Sequence, residues 1–317
     1  MCRVCRAWHA VAQTHILLII SDGPNYPACS SQMAIPAEND PEIESGEAAR
    51  RLNAVLKEIG SVIVACSGGV DSLLLATVAH RIAGDRVIIA HAISPAVPKE
   101  ATRRVKQCAE AEGWHLELID AGEFKDPVYR ANPVNRCYYC KSHLYAGLSL
   151  VAELKFAVDV ERYTILSGAN VDDLGEYRPG LQAAREYEVR HPFIEAGMTK
   201  LHIRDMSRRL QMPSAELPAS PCLASRLYTG TPVTRGRLAA IEHGEDFLKR
   251  QTGIQIVRCR IRQDEMRIEV TDEDRRKIIP ELLASLREEI RLLSPAVRVV
   301  SLDPHPYQPG RAFVAAP

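Results

Sequence analysis

The 317-residue chain carries 40 Lys+Arg against 40 Asp+Glu, with 46% hydrophobic and 25% charged residues. That is the balance of a soluble globular chain long enough for two domains. Zero formal charge argues against a nucleic-acid partner, and no apolar run approaches the ~20 residues that cross a bilayer. The nine cysteines form no regular framework, which suits a reducing compartment, so a cytoplasmic location is expected.

Residues 1–44 stand apart as an N-terminal extension, with a CxxC pair (Cys2 and Cys5), a short apolar run and a Pro/Ser/Asn-rich stretch. No amphipathic period runs through it. The expectation is a disordered extension or a start assigned too early, with Met33 as the alternative start. Two cysteines without two further ligands nearby make a poor metal site.

From residue 45 the pattern becomes regular. An amphipathic helix is predicted at 45–59, then a buried strand from Ser61 to Cys66, a glycine turn and a helix from Ser72 to Ile82. A strand at 86–90, a helix at 98–112 and strands at 115–119 and 164–166 follow. Strands alternating with helices predict an α/β fold, a doubly wound parallel sheet covered on both faces. Residues 121–145 are polar and aromatic and read as an active-site loop leading into a helix. The proline- and glycine-rich stretch 213–236 marks a boundary, giving domains of 45–215 and 216–317. The second reads as a small α+β unit: helix 237–252, strands 254–261 and 265–270, helix 273–291, strand 297–300.

The sharpest motif is Ser67-Gly68-Gly69-Val70-Asp71-Ser72, between a buried strand and a helix. Glycines let the backbone approach an anion, the serines offer hydroxyls, and the helix N-terminus adds unpaired N–H groups. No lysine closes it, so it is not the GxxxxGK[ST] loop of kinases. A plain glycine turn would not need the whole string, which resembles the PP-loop ATP pyrophosphatases. That resemblance implies an ATP split between the α and β phosphates, with AMP passed to a substrate oxygen. It also implies that Ser67, Gly68, Gly69, Asp71 and Ser72 hold the phosphates, with Mg²⁺ expected beside so much charge. A second string, Ser167-Gly168-Ala169-Asn170-Val171-Asp172-Asp173, follows the fourth strand, and strand ends on that side line the ligand crevice. Asp172 or Asp173 can hold Mg²⁺ there; a solvated Asn/Asp turn is the plain alternative.

Cys137-Tyr138-Tyr139-Cys140 is a CxxC, and Cys222 lies in Pro221-Cys222-Leu223-Ala224-Ser225-Arg226. A lone CxxC reads as a structural metal, a redox pair or coincidence. Three cysteines from two loops suit an iron–sulfur site with one open iron. Cys222, with Arg226 and loop amides favouring its thiolate, can also act as a nucleophile. Cys66 and Cys108 read as small buried hydrophobes.

The phosphate loop, Arg136-Cys137-Tyr138-Tyr139-Cys140-Lys141, Asp172-Asp173 with Tyr177-Arg178-Pro179-Gly180, and the PCLASR string together resemble the LarE family across residues 45–303. These are sulfur transferases of nickel-pincer nucleotide biosynthesis, the cofactor of lactate racemase. The resemblance implies adenylation of pyridinium-3,5-biscarboxylic acid mononucleotide and its conversion to a thiocarboxylate, in a homo-oligomer. One branch of the family sacrifices the cysteine matching Cys222; another holds a [4Fe-4S] cluster on three cysteines, matching Cys137, Cys140 and Cys222. The presence of all three favours the cluster branch. Arg226, Arg258, Arg260 and Glu269 resemble the family's substrate-phosphate residues; a solvated, charged strand face is the plain alternative for Arg258 to Arg267. Asp71 and Cys222 are then the catalytic residues and Asp173 a cofactor ligand. A tRNA thiolase, or a nucleotide-binding protein without catalysis, would share the phosphate loop; the first calls for a basic RNA surface that a neutral chain does not advertise.

Overall fold

The computed structural model describes residues 46–155, 163–175 and 178–313. The N-terminal extension with Cys2 and Cys5, and Tyr177, lie outside the described residues.

The chain divides into two compact units. One takes the chain up to Ile93, Lys99–Gly122 and Cys140–Ser220; the other takes Ser94–Pro98, Glu123–Tyr139 and Pro221–Pro317.

The first unit is the parallel α/β layer the alternation predicts. Its elements are α1 (Glu47–Lys57), β1 (Ser61–Ala65), α2 (Val70–Ala83), β2 (Val87–Ala92), α3 (Lys99–Glu112), β3 (His115–Ile119) and β4 (Tyr163–Ser167). Helices α6 (Pro179–Glu186), α7 (Pro192–Glu195) and α8 (Lys200–Arg209) follow β4. The strand order is β3-β2-β1-β4, every pair parallel. β1, a run of small and β-branched residues, is buried from Val62 to Ala65, as a strand covered on both faces must be. α1 turns Leu52 and Leu56 into the core and packs on α2 and α7, and α8 packs on α2. α2 is buried along most of its length, with Leu73, Leu74 and Leu75 fully enclosed.

α4 (Pro127–Arg130) and α5 (Arg136–Lys155) occupy the stretch expected to be a loop. The CxxC therefore lies in the first turns of a 20-residue helix rather than in irregular chain. The signal was masked by Pro133, which sits just before the helix and opens it: the Arg136 N–H donates to the Pro133 carbonyl at 2.9 Å.

The second unit holds α9 (Arg235–Thr252), β5 (Val257–Arg262), β6 (Glu265–Val270), α10 (Pro280–Leu293) and β7 (Val299–Leu302). β5 pairs antiparallel with β6, and β6 parallel with β7. α9 packs on β5 and α10. The helix expected from 273 starts instead at Pro280, whose missing N–H and fixed φ suit the first helical position. β5 is no solvated face: Cys259 and Ile261 are fully buried and Arg260 nearly so.

α9 meets the end of α10 at a glycine. A Cβ on Gly236 would sit 2.9 Å from the Leu293 carbonyl oxygen, a backbone atom that cannot swing aside. Gly236→Ala is expected to lower stability by about 1–3 kcal/mol through overpacking. A urea midpoint equal to wild type would show that the two helices part without cost.

Candidate functional site

The SGGVDS loop joins β1 to α2 at the C-terminal end of the sheet. β1 pairs with β2 on one side and β4 on the other, so the chain reverses direction across the sheet here. Such a switch point opens a crevice between the outgoing loops. The loop is fixed from within. Ser72 Oγ donates to the Gly69 carbonyl at 3.1 Å and accepts from the Ser67 N–H at 3.0 Å, so the Ser67 hydroxyl, 3.1 Å away, donates to it. Ser72 is buried and spends its hydroxyl on the loop itself, whereas Ser67 is exposed. Gly68 has φ +79, and a Cβ on it would stand 2.8 Å from the Ala101 carbonyl oxygen, so only glycine is accommodated.

His91 braces the strand end before the loop. Burial lowers its pKa, with the Cys66 carbonyl pulling the other way. The neutral ring donates from Nδ1 to that carbonyl at 2.8 Å, and Nε2 accepts from the Thr102 hydroxyl at 2.9 Å. Arg104 Nε donates to the Gly68 carbonyl at 3.2 Å. Burial also pushes the Cys66 thiol up to about 11, which agrees with its expected inert role.

The second string approaches the first as its position predicts. A Cβ on Gly168 would lie 3.0 Å from Ser72 N and 3.1 Å from the Asp71 carbonyl carbon. Asn170 caps the following turn, accepting from the Asp172 N–H at 3.0 Å, and Asp173 accepts from the Asn170 N–H at 3.1 Å. Asp173 also pairs with Arg178 at 2.9 Å. Asp172 accepts from the backbone N–H of Lys200 at 2.8 Å, capping α8. The Lys200 ammonium is hydrogen-bonded to the Asp71 carboxylate. Burial raises the pKa of Asp71, opposed by Lys200. Nothing in the sequence flags Lys200, which reaches Asp71 across 129 residues.

In the second unit, the PCLASR string forms a 3₁₀ turn, Leu223–Arg226, with Cys222 exposed before it. Arg226 Nε and Nη2 donate to the two oxygens of Glu245 at 2.9 and 3.1 Å. Its Nη1 donates to the carbonyls of Pro221 and Cys222 at 2.6 and 3.1 Å. Arg226 thus sets the backbone beneath Cys222. Glu245 also accepts from the Cys259 N–H at 3.2 Å. Arg260 donates from Nε to Glu269 at 2.7 Å, and Arg311 pairs with the other oxygen at 3.0 Å. Arg226, Arg260 and Glu269 are all buried, while Arg258 is half-buried with its guanidinium 5.4 Å from the Tyr307 ring centroid. Burial lowers the pKa of Arg258, with the neighbouring Arg226 adding to the shift.

Cys137 and Cys140 are half-buried and three residues apart, which sets them on one face of α5. Neither they nor Cys222 is in a disulfide. As soft thiol donors, they suit iron or an iron–sulfur cluster. Among the described residues no group of three or more His, Cys, Asp or Glu side chains is gathered to hold a single metal ion. Among the same residues, no helix is long and apolar enough to cross a membrane.

No protein-family model matches the chain. It is 35% identical over 255 residues to an uncharacterized protein of Synechocystis, covering 80% of this chain and 92% of that one. It is 30% identical over 261 residues to the pyridinium-3,5-bisthiocarboxylic acid mononucleotide synthase of Lactiplantibacillus plantarum, covering 82% and 91%. An uncharacterized protein of Methanocaldococcus jannaschii is 30% identical over 188 residues, 59% of this chain and 69% of that one. An α/β protein with a separate small mixed sheet is the class these units define. Within it, the chain belongs to the LarE family, that of the Lactiplantibacillus synthase.

Two outcomes are expected from this geometry. Glu245→Ala strands the buried Arg226 charge and should cost about 3–5 kcal/mol of stability, read from chemical unfolding; a cost below 1 kcal/mol would mean water reaches Arg226. The second concerns pH. The folded protein binds a proton at His91 less readily than the unfolded chain does, so stability should fall as pH drops through the ordinary histidine range. His91→Gln should flatten that fall; an unchanged slope would assign it to His80 and His191, which burial shifts the same way.

Proposed function

We propose that this chain is an ATP-dependent sulfur transferase acting on pyridinium-3,5-biscarboxylic acid mononucleotide. The observation that carries the proposal is the SGGVDS loop seated at the switch point of a parallel sheet, in a chain of the LarE family. A substrate carboxylate oxygen attacks the α phosphorus of Mg·ATP. The α–β phosphoanhydride bond breaks, pyrophosphate leaves, and an acyl adenylate forms. Sulfur then attacks the activated carbonyl and AMP departs, leaving a thiocarboxylate.

The parts suit this sequence of events. Gly68, Gly69 and the first N–H groups of α2 offer an anion cradle, with the exposed Ser67 hydroxyl at its edge. Asp71 and Asp173, close enough for the charge of one to raise the pKa of the other, would hold the magnesium that ATP brings. Arg258 is the partly exposed arginine through which the substrate phosphate can be held, while Arg226, Arg260 and Glu269 support the surrounding backbone and strands. Cys137, Cys140 and Cys222 would hold a [4Fe-4S] cluster, which when bound supplies an iron site for an exogenous sulfide. Cys222, exposed at the head of its turn, is the cysteine a substrate would meet.

The test is anaerobic turnover with Mg·ATP and the pyridinium dicarboxylate, followed for pyrophosphate and for thiocarboxylate by mass. Asp71→Ala should abolish pyrophosphate release. Cys222→Ala should spare pyrophosphate release and stop sulfur transfer. No pyrophosphate from wild type would remove the proposal. About four irons per chain, lost in Cys137→Ala, would support the cluster. An iron-free protein that thiolates once and is left with dehydroalanine at residue 222 would replace it with sacrifice of Cys222.

A further inference from the structure

Two buried arginines of the second unit are balanced by carboxylates: Arg226 by Glu245 and Arg260 by Glu269. Arg258, two residues before Arg260 on β5, is set differently. Its Nη1 donates to the Val257 carbonyl at 2.9 Å, and its guanidinium carbon stands 5.4 Å from the centre of the Tyr307 ring. Tyr307 comes from the segment after β7, which is pinned to the sheet at several points. The Asp303 N–H donates to the Ile268 carbonyl at 2.9 Å, and the Tyr307 N–H to the Val270 carbonyl at 2.9 Å. Arg260 Nη2 donates to the Gln308 carbonyl at 2.8 Å, and Arg311 pairs with Asp303 at 3.1 Å. Burial and the neighbouring Arg226 both disfavour the Arg258 charge, with Glu245 and Tyr307 opposing them, so an anion here would relieve repulsion. What faces an arginine decides what it can do. A carboxylate lies in the guanidinium plane and occupies the N–H groups that a phosphate would use. An aromatic ring attracts the cation through its face and does not compete for those in-plane groups.

We propose that Tyr307 is a positioning residue of the substrate-phosphate site, its ring holding the Arg258 guanidinium in the plane from which it grips the phosphate monoester of the mononucleotide. This rests on the substrate reading above and deepens it: the segment after β7 becomes part of the site, and through Arg258 it sets a preference for a mononucleotide over its nucleoside. No bond is made or broken at Tyr307, and its hydroxyl takes no part. The stacked, planar fork is pre-organised, so less side-chain freedom is lost when the phosphate binds.

The measurement is calorimetric binding of pyridinium-3,5-biscarboxylic acid mononucleotide and of the same nucleoside without its phosphate. Wild type should favour the mononucleotide. Tyr307→Ala should weaken the mononucleotide about tenfold and leave the nucleoside unchanged. Tyr307→Phe should keep wild-type affinity, because the ring face is used and the hydroxyl is not. In an Arg258→Ala background, Tyr307→Ala should add no further loss, since the two side chains act as one unit. An alanine variant with wild-type affinity would overturn the assignment. So would equal weakening of both ligands, because the ring would then serve only the shape of the pocket. A phenylalanine variant as weak as the alanine one, or a full further loss in the Arg258→Ala background, would overturn it as well. A wild type that binds the two ligands equally, or binds neither, would sink the phosphate reading of Arg258 and Tyr307 with it, whereas failure of the variants alone leaves that reading intact. If the alanine variant does not fold, Tyr307→Leu, which fills the space without a π face, carries the same expectations.

Discussion

Everything at the SGGVDS loop depends on β1 having a parallel neighbour on each side. With β2 and β4 both hydrogen-bonded to it, β1 cannot shift, and the loop it feeds leaves the sheet at a fixed point. The chain wound out through β3 must then return to β4, which brings the Ser167 to Asp173 string against the start of α2. Gly168 permits that approach because a side chain there would strike the backbone of Ser72. Asp172 in turn caps α8, which carries Lys200 to Asp71. Strand order, one glycine and one helix cap thus deliver three separate segments to one place.

The second unit is built on a different constraint. Its arginines are balanced inside the protein by carboxylates: Arg226 by Glu245, and Arg260 by Glu269, which Arg311 shares. Such pairs add little net stability over apolar packing, but each is expensive to break, so they hold one arrangement against others. The PCLASR turn inherits that rigidity through the carbonyls of Pro221 and Cys222.

The sheet was legible because its strands are runs of Val, Ile and Ala punctuated by glycine, and the burial of β1 and β2 follows that signal directly. The SGGVDS loop was legible because its residues are consecutive. The CxxC helix was not, because Pro133 and a polar, aromatic flank outweighed the helix formers downstream of Cys140. Lys200 and Glu245 were hidden for a deeper reason. A pairing across 129 residues leaves no periodicity and no local composition to read, and a carboxylate in mid-helix looks the same on paper whether it faces water or a buried guanidinium.

The thiols divide by chemistry as well as by place. Cys66, directly before the SGGVDS loop, and Cys259, in the middle of β5, are so fully enclosed that burial raises the pKa of both. A protonated thiol is a poor nucleophile and a poor target for oxidants or alkylating reagents. Cysteines can therefore sit beside the SGGVDS loop and in the second sheet without being drawn into side reactions. At neutral pH, an alkylating reagent would reach the exposed Cys222 long before either of them.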